Sequence, residues 1–301
     1  MLKRSITGFF IVAILAGVVA LRQVSVLFFD ALVLVLMYGA LIEMCFALKL
    51  FNKKFYLGIV LVYPAILACI YIFSELVVQS ILLQLLLGAV VFIVCVFTEL
   101  ISLASKRKNG EIETDERELH RGLFSETIST LGFVVYPITL IGTLWGINHF
   151  GLNLGYIGII LVFGISMITD TFAYIFGSLI KGKKLAPEIS PNKSIAGFVC
   201  GAIGGVLVSV ICLYLFYYKG LMPSIIVSLE EWKAILMFVL IGVLGTFMTQ
   251  FGDLLASVIK RKTGIKDFSN VFPGHGGFMD RIDGAMLNSL LVYVVILLFV
   301  V

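Results

Sequence analysis

Charged side chains are scarce in this sequence. Its 22 Lys and Arg and 18 Asp and Glu make up 13% of 301 residues, against 60% apolar residues and a mean hydropathy of +1.12. That is too little polar surface to cover a water-soluble globule, so the chain reads as an integral membrane protein. No charge sign dominates. A net +4 is too small and too dispersed to suggest a nucleic-acid binder, and no nucleic acid is expected as a partner. Soft metal ligands are sparse too. Cys45, Cys69, Cys95, Cys200 and Cys212 form no C-x-x-C pair, have no His at ligand spacing and sit inside apolar stretches, so they read as core filling rather than metal or redox groups. No internal repeat is visible, which argues against the paired halves of many transporters.

What the chain has in abundance is apolar runs. Nine are long enough to cross a bilayer, which takes roughly 20 residues each. They fall near 5–21, 24–48, 55–74, 77–98, 124–147, 153–180, 196–218, 232–259 and 281–301. The first follows Lys3 and Arg4 like a signal peptide, but the next begins after a two-residue turn with no A-x-A site between, so it reads as a transmembrane helix. With a cytoplasmic N-terminus, 19 of the 22 Lys and Arg fall inside, leaving only Arg22, Lys219 and Lys233 outside. The expected fold class is an all-α polytopic membrane protein, a bundle of about nine transmembrane helices with the N-terminus cytoplasmic and the C-terminus outside. Residues 1–122 would hold helices 1–4 and a cytoplasmic loop, and residues 123–301 the catalytic helices 5–9.

The loop from Glu99 to Leu123 mixes both charge signs and reads as a solvated face, with an interfacial helix as the alternative. Ionised groups inside apolar runs need a reason. Helix 8 carries Asp253, with Ser257 and Lys260 on the same face at i+4 and i+7, and Asp253 lies about 10 Å inward of Lys260. Helix 9 opens with Asp280 and Asp283, one turn apart. These three carboxylates would make an oxygen-rich site for Mg²⁺, completed by substrate phosphates. For the pair on helix 9, capping of the helix start is the other reading. Lys260, Arg261 and Lys266 would hold phosphate charge that a metal leaves over. Gly274, Gly276 and Gly277 let the backbone turn or approach a ligand, and His275 among them would either contact phosphate or order the turn.

Ahead of helix 7, Ser190-Pro191 reads as an N-cap followed by Pro at the first helical position, which puts Lys193 and Ser194 in the first turn as an anion site. Gly197, Gly201 and Gly205 read as tight helix packing. In helix 6, Asp170 with Tyr174 one turn on would line a polar cavity for the polar part of a substrate. Asp30 and Glu43 read as groups that hydrogen-bond between helices, to partners the sequence does not name.

The string from Ser257 to Asp283 reads Ser-x-Ile-Lys-Arg, then Lys266-Asp267-x-Ser269, then Phe272-Pro273-x-His275-Gly276-Gly277-Phe278-x-Asp280-Arg281-Ile282-Asp283. It resembles the signature of the phosphatidate cytidylyltransferases, or CDP-diacylglycerol synthases. The stretch from Asp170 to Gly205 is similar to a second part of that family: Asp-x-x-Ala-Tyr, Gly-Lys, Ser-Pro-x-Lys-Ser/Thr and a glycine-rich helix. One position departs, since Ala196 stands where the family often has Glu.

The resemblance implies that CTP and phosphatidate give CDP-diacylglycerol and pyrophosphate, with Mg²⁺ and a second, monovalent cation such as K⁺. Carried onto this chain, it implies Asp253, Asp280 and Asp283 as metal ligands, with Lys260, Arg261 and Lys266 beside them in catalysis. Substrate contacts would come from Asp170, Tyr174, Ser190, Lys193, Ser194, Ser257, His275, Gly276, Gly277 and Arg281. It also implies a homodimer among membrane lipids, for which the glycine face of helix 7 offers one seam. Its place would be the cell membrane (bacterial inner membrane), with the site facing the cytoplasm. The rivals are a CTP-dependent lipid kinase of the polyprenol type and an ion-coupled transporter using Asp170 and Asp253. A CDP-alcohol phosphotransferase fits less well, because Asp283-Gly284-Ala285-Met286 lacks the downstream Ala-Arg and later aspartates of those enzymes.

Overall fold

Where no water can satisfy backbone amides, an apolar run must close its hydrogen bonds within itself, and a helix does so. The structure is a computed structural model and describes residues 2–49, 54–73, 77–108, 134–180, 182–222 and 225–300. Among them are nine helices, one on each apolar run: α1 (Leu2–Leu21), α2 (Leu27–Ala47), α3 (Lys54–Phe73), α4 (Val77–Lys108), α5 (Val134–Thr139, π-wound, then Leu140–Asn148), α6 (Leu152–Ile180), α7 (Ile195–Cys212, continued by π-wound Leu213–Tyr218), α8 (Glu231–Thr263) and α9 (Met279–Val300). Of these, α2, α6, α7, α8 and α9 are long and apolar enough to span a membrane. Residues 99–108, expected in a loop, continue α4; residues 109–133 and Lys181 lie outside the described residues.

Small residues decide which helices touch. Gly197 on α7 lies against Gly177 on α6, where an added methyl would come 3.2 Å from the Gly177 Cα, and Gly201 meets the Thr169 carbonyl at 2.8 Å in the same way. Gly205 packs on Thr169 and on Thr246 of α8. The glycine stripe of α7 is thus tight packing, as its spacing predicts. It is filled from within the chain, so it is no seam for a second copy. Cys45 and Cys212 are buried as expected, whereas Cys69 is exposed on α3 and Cys200 half-buried; the Cys95 side chain lies outside the described residues. In α5, Pro137 brings no N–H to the helix, and the buried Gln84 of α4 donates to the Thr139 carbonyl at 2.8 Å.

The turn between α1 and α2 holds a fully buried cation. Arg22, expected as an outside loop residue, donates from Nε to Asn148 Oδ1 (2.5 Å) and from Nη2 to the carbonyls of Asn148 (2.7 Å) and Gly151 (3.1 Å), with Nη1 on the Leu152 carbonyl. It therefore caps the C-terminal end of α5, where carbonyls lack partners. Burial pulls its guanidinium below the ordinary pKa, and the charge of Asp30 opposes this. Asp30 accepts from Asn148 Nδ2 at 2.7 Å and pairs with His149 at 3.1 Å.

The chain between α6 and α7 departs from expectation. Lys184–Ala186 (β1) and Ser190–Ser194 (β2) form an antiparallel hairpin, with Lys184 opposite Ser194 and Ala186 opposite Ser190. The helix begins four residues later than the Ser-Pro signal suggests, because Ser194 is the N-cap: its Oγ accepts from Gly197 N–H at 3.1 Å. Pro191 falls in the irregular part of the ladder, where its missing N–H breaks no bond. Lys193 and Ser194 are strand residues.

Candidate functional site

At the end of the bundle where α8 terminates, a cavity of about 420 Å³ opens between α6, the hairpin, α8 and α9. α8 is 33 residues long, about 50 Å at 1.5 Å per residue, against a hydrocarbon core of about 30 Å. Its last turns, with Lys260, Arg261 and Lys262, therefore reach polar surroundings, and basic residues there complement the helix dipole. Gly264 closes the helix in the left-handed region at φ 75°, with Ile265 N–H returning to the Lys260 carbonyl at 2.9 Å.

Two glycines bring the acids of α8 and α9 together. An added methyl on Gly252 would overlap the Asp283 carbonyl, and one on Gly284 would sit 2.9 Å from the Thr249 carbonyl, so the two backbones cross in contact. Asp253 and Asp283 are the immediate neighbours of these glycines, and the crossing delivers both to one cavity. Asp170 reaches the same space from α6, and the three carboxylates are within electrostatic reach of one another. Asp267 and Asp280 also line it.

Five carboxylates thus face only three cations, Lys193, Lys260 and Arg281. Lys193 Nζ lies 2.6 Å from Asp253 Oδ2, and Lys260 Nζ lies 2.7 Å from Asp280 Oδ1. Arg281 is exposed and forms no ion pair among the described residues. Asp280 has little left to offer a ligand, because its Oδ2 accepts the N–H groups of Phe268 and Gly277, both at 2.9 Å. Among the described residues, no three His, Cys, Asp or Glu side chains stand as a ready metal cage. The three expected metal ligands share the cavity, yet Asp280 is bound to the loop and Asp253 to a lysine. Buried carboxylates take the nearest donors, and helical spacing does not reveal where those donors are.

Of the other expected residues, Tyr174, Ser190 and Ser194 line the cavity, although the Ser194 hydroxyl serves as the α7 cap. Ser257 stands behind Asp253, its Oγ 3.5 Å from Oδ1. Like Ser257, five more expected residues lie off the lining. Arg261 donates from Nε to the Ile189 carbonyl at 3.2 Å and ties α8 to the hairpin, while Lys266 is exposed in the following loop. His275 packs against Gly8 of α1 within a tight turn: its N–H donates to the Phe272 carbonyl at 2.8 Å, with Pro273 and Gly274 (φ 78°) at the turn's centre. Gly276 (φ 79°) and Gly277 serve the loop, since a methyl on Gly276 would lie 2.6 Å from Asp280 Oδ2.

This charged, half-open cavity is built from the two stretches of chain that carry the sequence motifs, and comparison with known proteins matches the chain to the Cytidylyltransferase family over residues 2–299. The chain belongs to that family. It is 38% identical over 139 residues to a phosphatidate cytidylyltransferase of Staphylococcus haemolyticus, covering 44% of this chain and 48% of that one. Relatives of the same name from Rickettsia conorii (35% over 135 residues, 45% and 56%) and Rickettsia typhi (38% over 131 residues, 44% and 54%) are similar. The matched segment spans about half the length of these relatives.

For this cytidylyltransferase-family chain, sequence reasoning missed Asp267, Asn192 and Gln250, which line the cavity. Gln250 lies one turn before Asp253 and Asn192 adjoins Lys193, so proximity to a named residue was the available signal. Glu43 was seen only as a helix-to-helix group. It is 4% exposed and accepts from Ser269 Oγ (2.5 Å) and from the N–H groups of Phe278 and Met279 (both 2.9 Å).

Proposed function

We propose that this chain transfers the cytidylyl group of CTP to phosphatidate, giving CDP-diacylglycerol and pyrophosphate, from a cavity facing the cytoplasm at the cell membrane. The observation that carries the reading is the cavity's composition. An acid-rich, half-open space at the polar end of an apolar bundle suits a reaction joining a lipid phosphate to a water-soluble nucleotide. The orientation follows from the basic residues around the cavity, which the positive-inside rule assigns to the cytoplasm.

With five carboxylates against three cations, the lining alone would repel a nucleoside triphosphate. The oxygen-only donor set fits Mg²⁺, with Asp253 and Asp283 as the residues that would hold it and Asp170 as a further oxygen. A monovalent cation would draw on the same oxygens. Bound there, the divalent ion would neutralise phosphate charge.

The remaining work falls to the chain's own groups. Arg281 is open to grip a phosphate through two parallel N–H bonds. Lys193 and Lys260 follow the charge that builds on the departing pyrophosphate, and the acids that now hold them fix their positions. A phosphate monoester has its second pKa near 6, so the lipid phosphate attacks as a dianion without a general base. One lipid-phosphate oxygen bonds to the α-phosphorus as the bond to the bridging oxygen of pyrophosphate breaks, and alignment in the cavity supplies the rate.

Purified protein supplied with CTP, phosphatidate and Mg²⁺ is expected to release pyrophosphate and CDP-lipid in equal amounts. Release of CDP with a phosphorylated lipid would replace this reading by the kinase. Substrate flux into liposomes without CTP turnover would replace it by a transporter.

A further inference from the structure

Beyond the cavity itself, the structure assigns Glu43 of α2 as the positioning residue for the first turn of α9. This assignment rests on the cytidylyltransferase reading for its link to catalysis, and on geometry alone for its structural part. The first N–H groups of any helix lack partners within it. At the start of α9, the N–H groups of Met279 and of the residues leading into it are divided between two carboxylates. Asp280, inside the cavity, takes Gly277 and Phe268; Glu43, absent from the cavity lining and 235 residues before Phe278, takes Phe278 and Met279 and also the Ser269 hydroxyl. No Lys or Arg among the described residues pairs with Glu43. Its buried charge is held by donors of the 268–283 segment and by the positive end of α9.

The residues that α9 contributes to the cavity, Asp280, Arg281 and Asp283, lie within five residues of these bonds. Two further contacts press on the same segment from the N-terminal helices. The Phe278 ring packs against Gly39, where an added methyl would come 2.5 Å from it, and Thr7 Oγ1 of α1 donates to the Pro273 carbonyl at 3.3 Å. α1 and α2 therefore act as a back wall that sets where α9 begins, and Glu43 is its charged centre. A shift of about 1 Å in Asp283 or Arg281 would cost about 10²-fold in rate.

Glu43→Gln tests this with almost no change in shape. Oε1 now accepts from two donors and Oε2 from one; an amide offers a single acceptor oxygen, so in either orientation one N–H of the α9 turn meets an NH₂ group. In the full-length detergent-solubilised protein, hydrogen exchange at Phe278 and Met279 is expected to accelerate at least tenfold, with exchange across α7 unchanged. Turnover should fall about 50-fold per folded molecule, and the Mg²⁺ concentration for half-maximal rate should rise. Should Glu43→Gln fail to fold, Gly39→Ala displaces the Phe278 ring without altering any charge and should give the same faster exchange and lower turnover. Unchanged exchange at Phe278 and Met279, or faster exchange with wild-type turnover, overturns the assignment. If the wild-type protein makes no CDP-lipid from CTP and phosphatidate, the functional reading fails instead, and the exchange measurement, which needs no substrate, still decides whether Glu43 holds the turn.

Discussion

Two polar clusters occupy opposite ends of this bundle, and they are built on opposite principles. Around Arg22 every strong group has a partner: the guanidinium spreads over Asn148, Gly151 and Leu152, and Asp30 is met by Asn148 and His149. Around Asp283 the balance is left open, with five acids against three cations and about 420 Å³ of space. A closed cluster ties elements together and has nothing left to bind. An open one carries an electrostatic deficit that a ligand or ion must complete. The difference predicts which cluster governs rate and which governs stability.

The sharpest test is Asp283→Asn, which keeps shape and replaces one carboxylate of the open cluster by an amide. Turnover of CTP and phosphatidate is expected to drop about 10³-fold or more, while the protein elutes and melts as wild type in detergent. Wild-type turnover would show that the deficit has no part in the reaction. Next in size is Arg22→Met, aimed at the closed cluster. Removing the cation strands the α5 carbonyls and leaves Asp30 with less compensation, at a cost of about 3 kcal/mol in stability. Thermal unfolding in detergent should register that loss, and the specific activity of the surviving folded fraction should match wild type. A fall in specific activity with no loss of stability would mean the two ends are coupled in a way the comparison denies.

How much of this was legible in the sequence differs between the two ends and within the site. Helix placement was legible, because each apolar run must satisfy its own backbone, and the nine runs return as nine helices among the described residues. The meeting of Asp253 with Asp283 was half legible: each adjoins a glycine, Gly252 or Gly284, but only the packed structure shows that those glycines mark one crossing. The start of α7 misled, since Ser190-Pro191 and Ser194 are both valid start signals locally, and the choice is made by pairing with Lys184–Ala186. Asp280 was open between two readings, a metal ligand and a helix cap. Its spacing from Asp283 suits a metal, but its oxygens are taken by Phe268, Gly277 and Lys260, donors that fold back from the preceding loop and α8. Arg22 and Glu43 could not be resolved, because their partners lie more than a hundred residues away and no periodicity reports them.

The finest division lies within the open cluster, between cations already held and the one that is not. Lys193 and Lys260 sit on Asp253 and Asp280, so their charge is partly spent before a substrate arrives. Arg281 is exposed and forms no ion pair among the described residues, so its forked donors stay open although Asp170 lies within electrostatic reach. Arg281→Lys keeps the charge and removes the fork. If this residue grips a phosphate by two parallel bonds, the variant loses one of them, and the KM for CTP or for phosphatidate should rise about tenfold with kcat changed less. Which of the two KM values moves identifies the phosphate that Arg281 holds. No movement in either would mean that only charge is read at this position, and Arg281→Ala should then raise KM where Arg281→Lys does not.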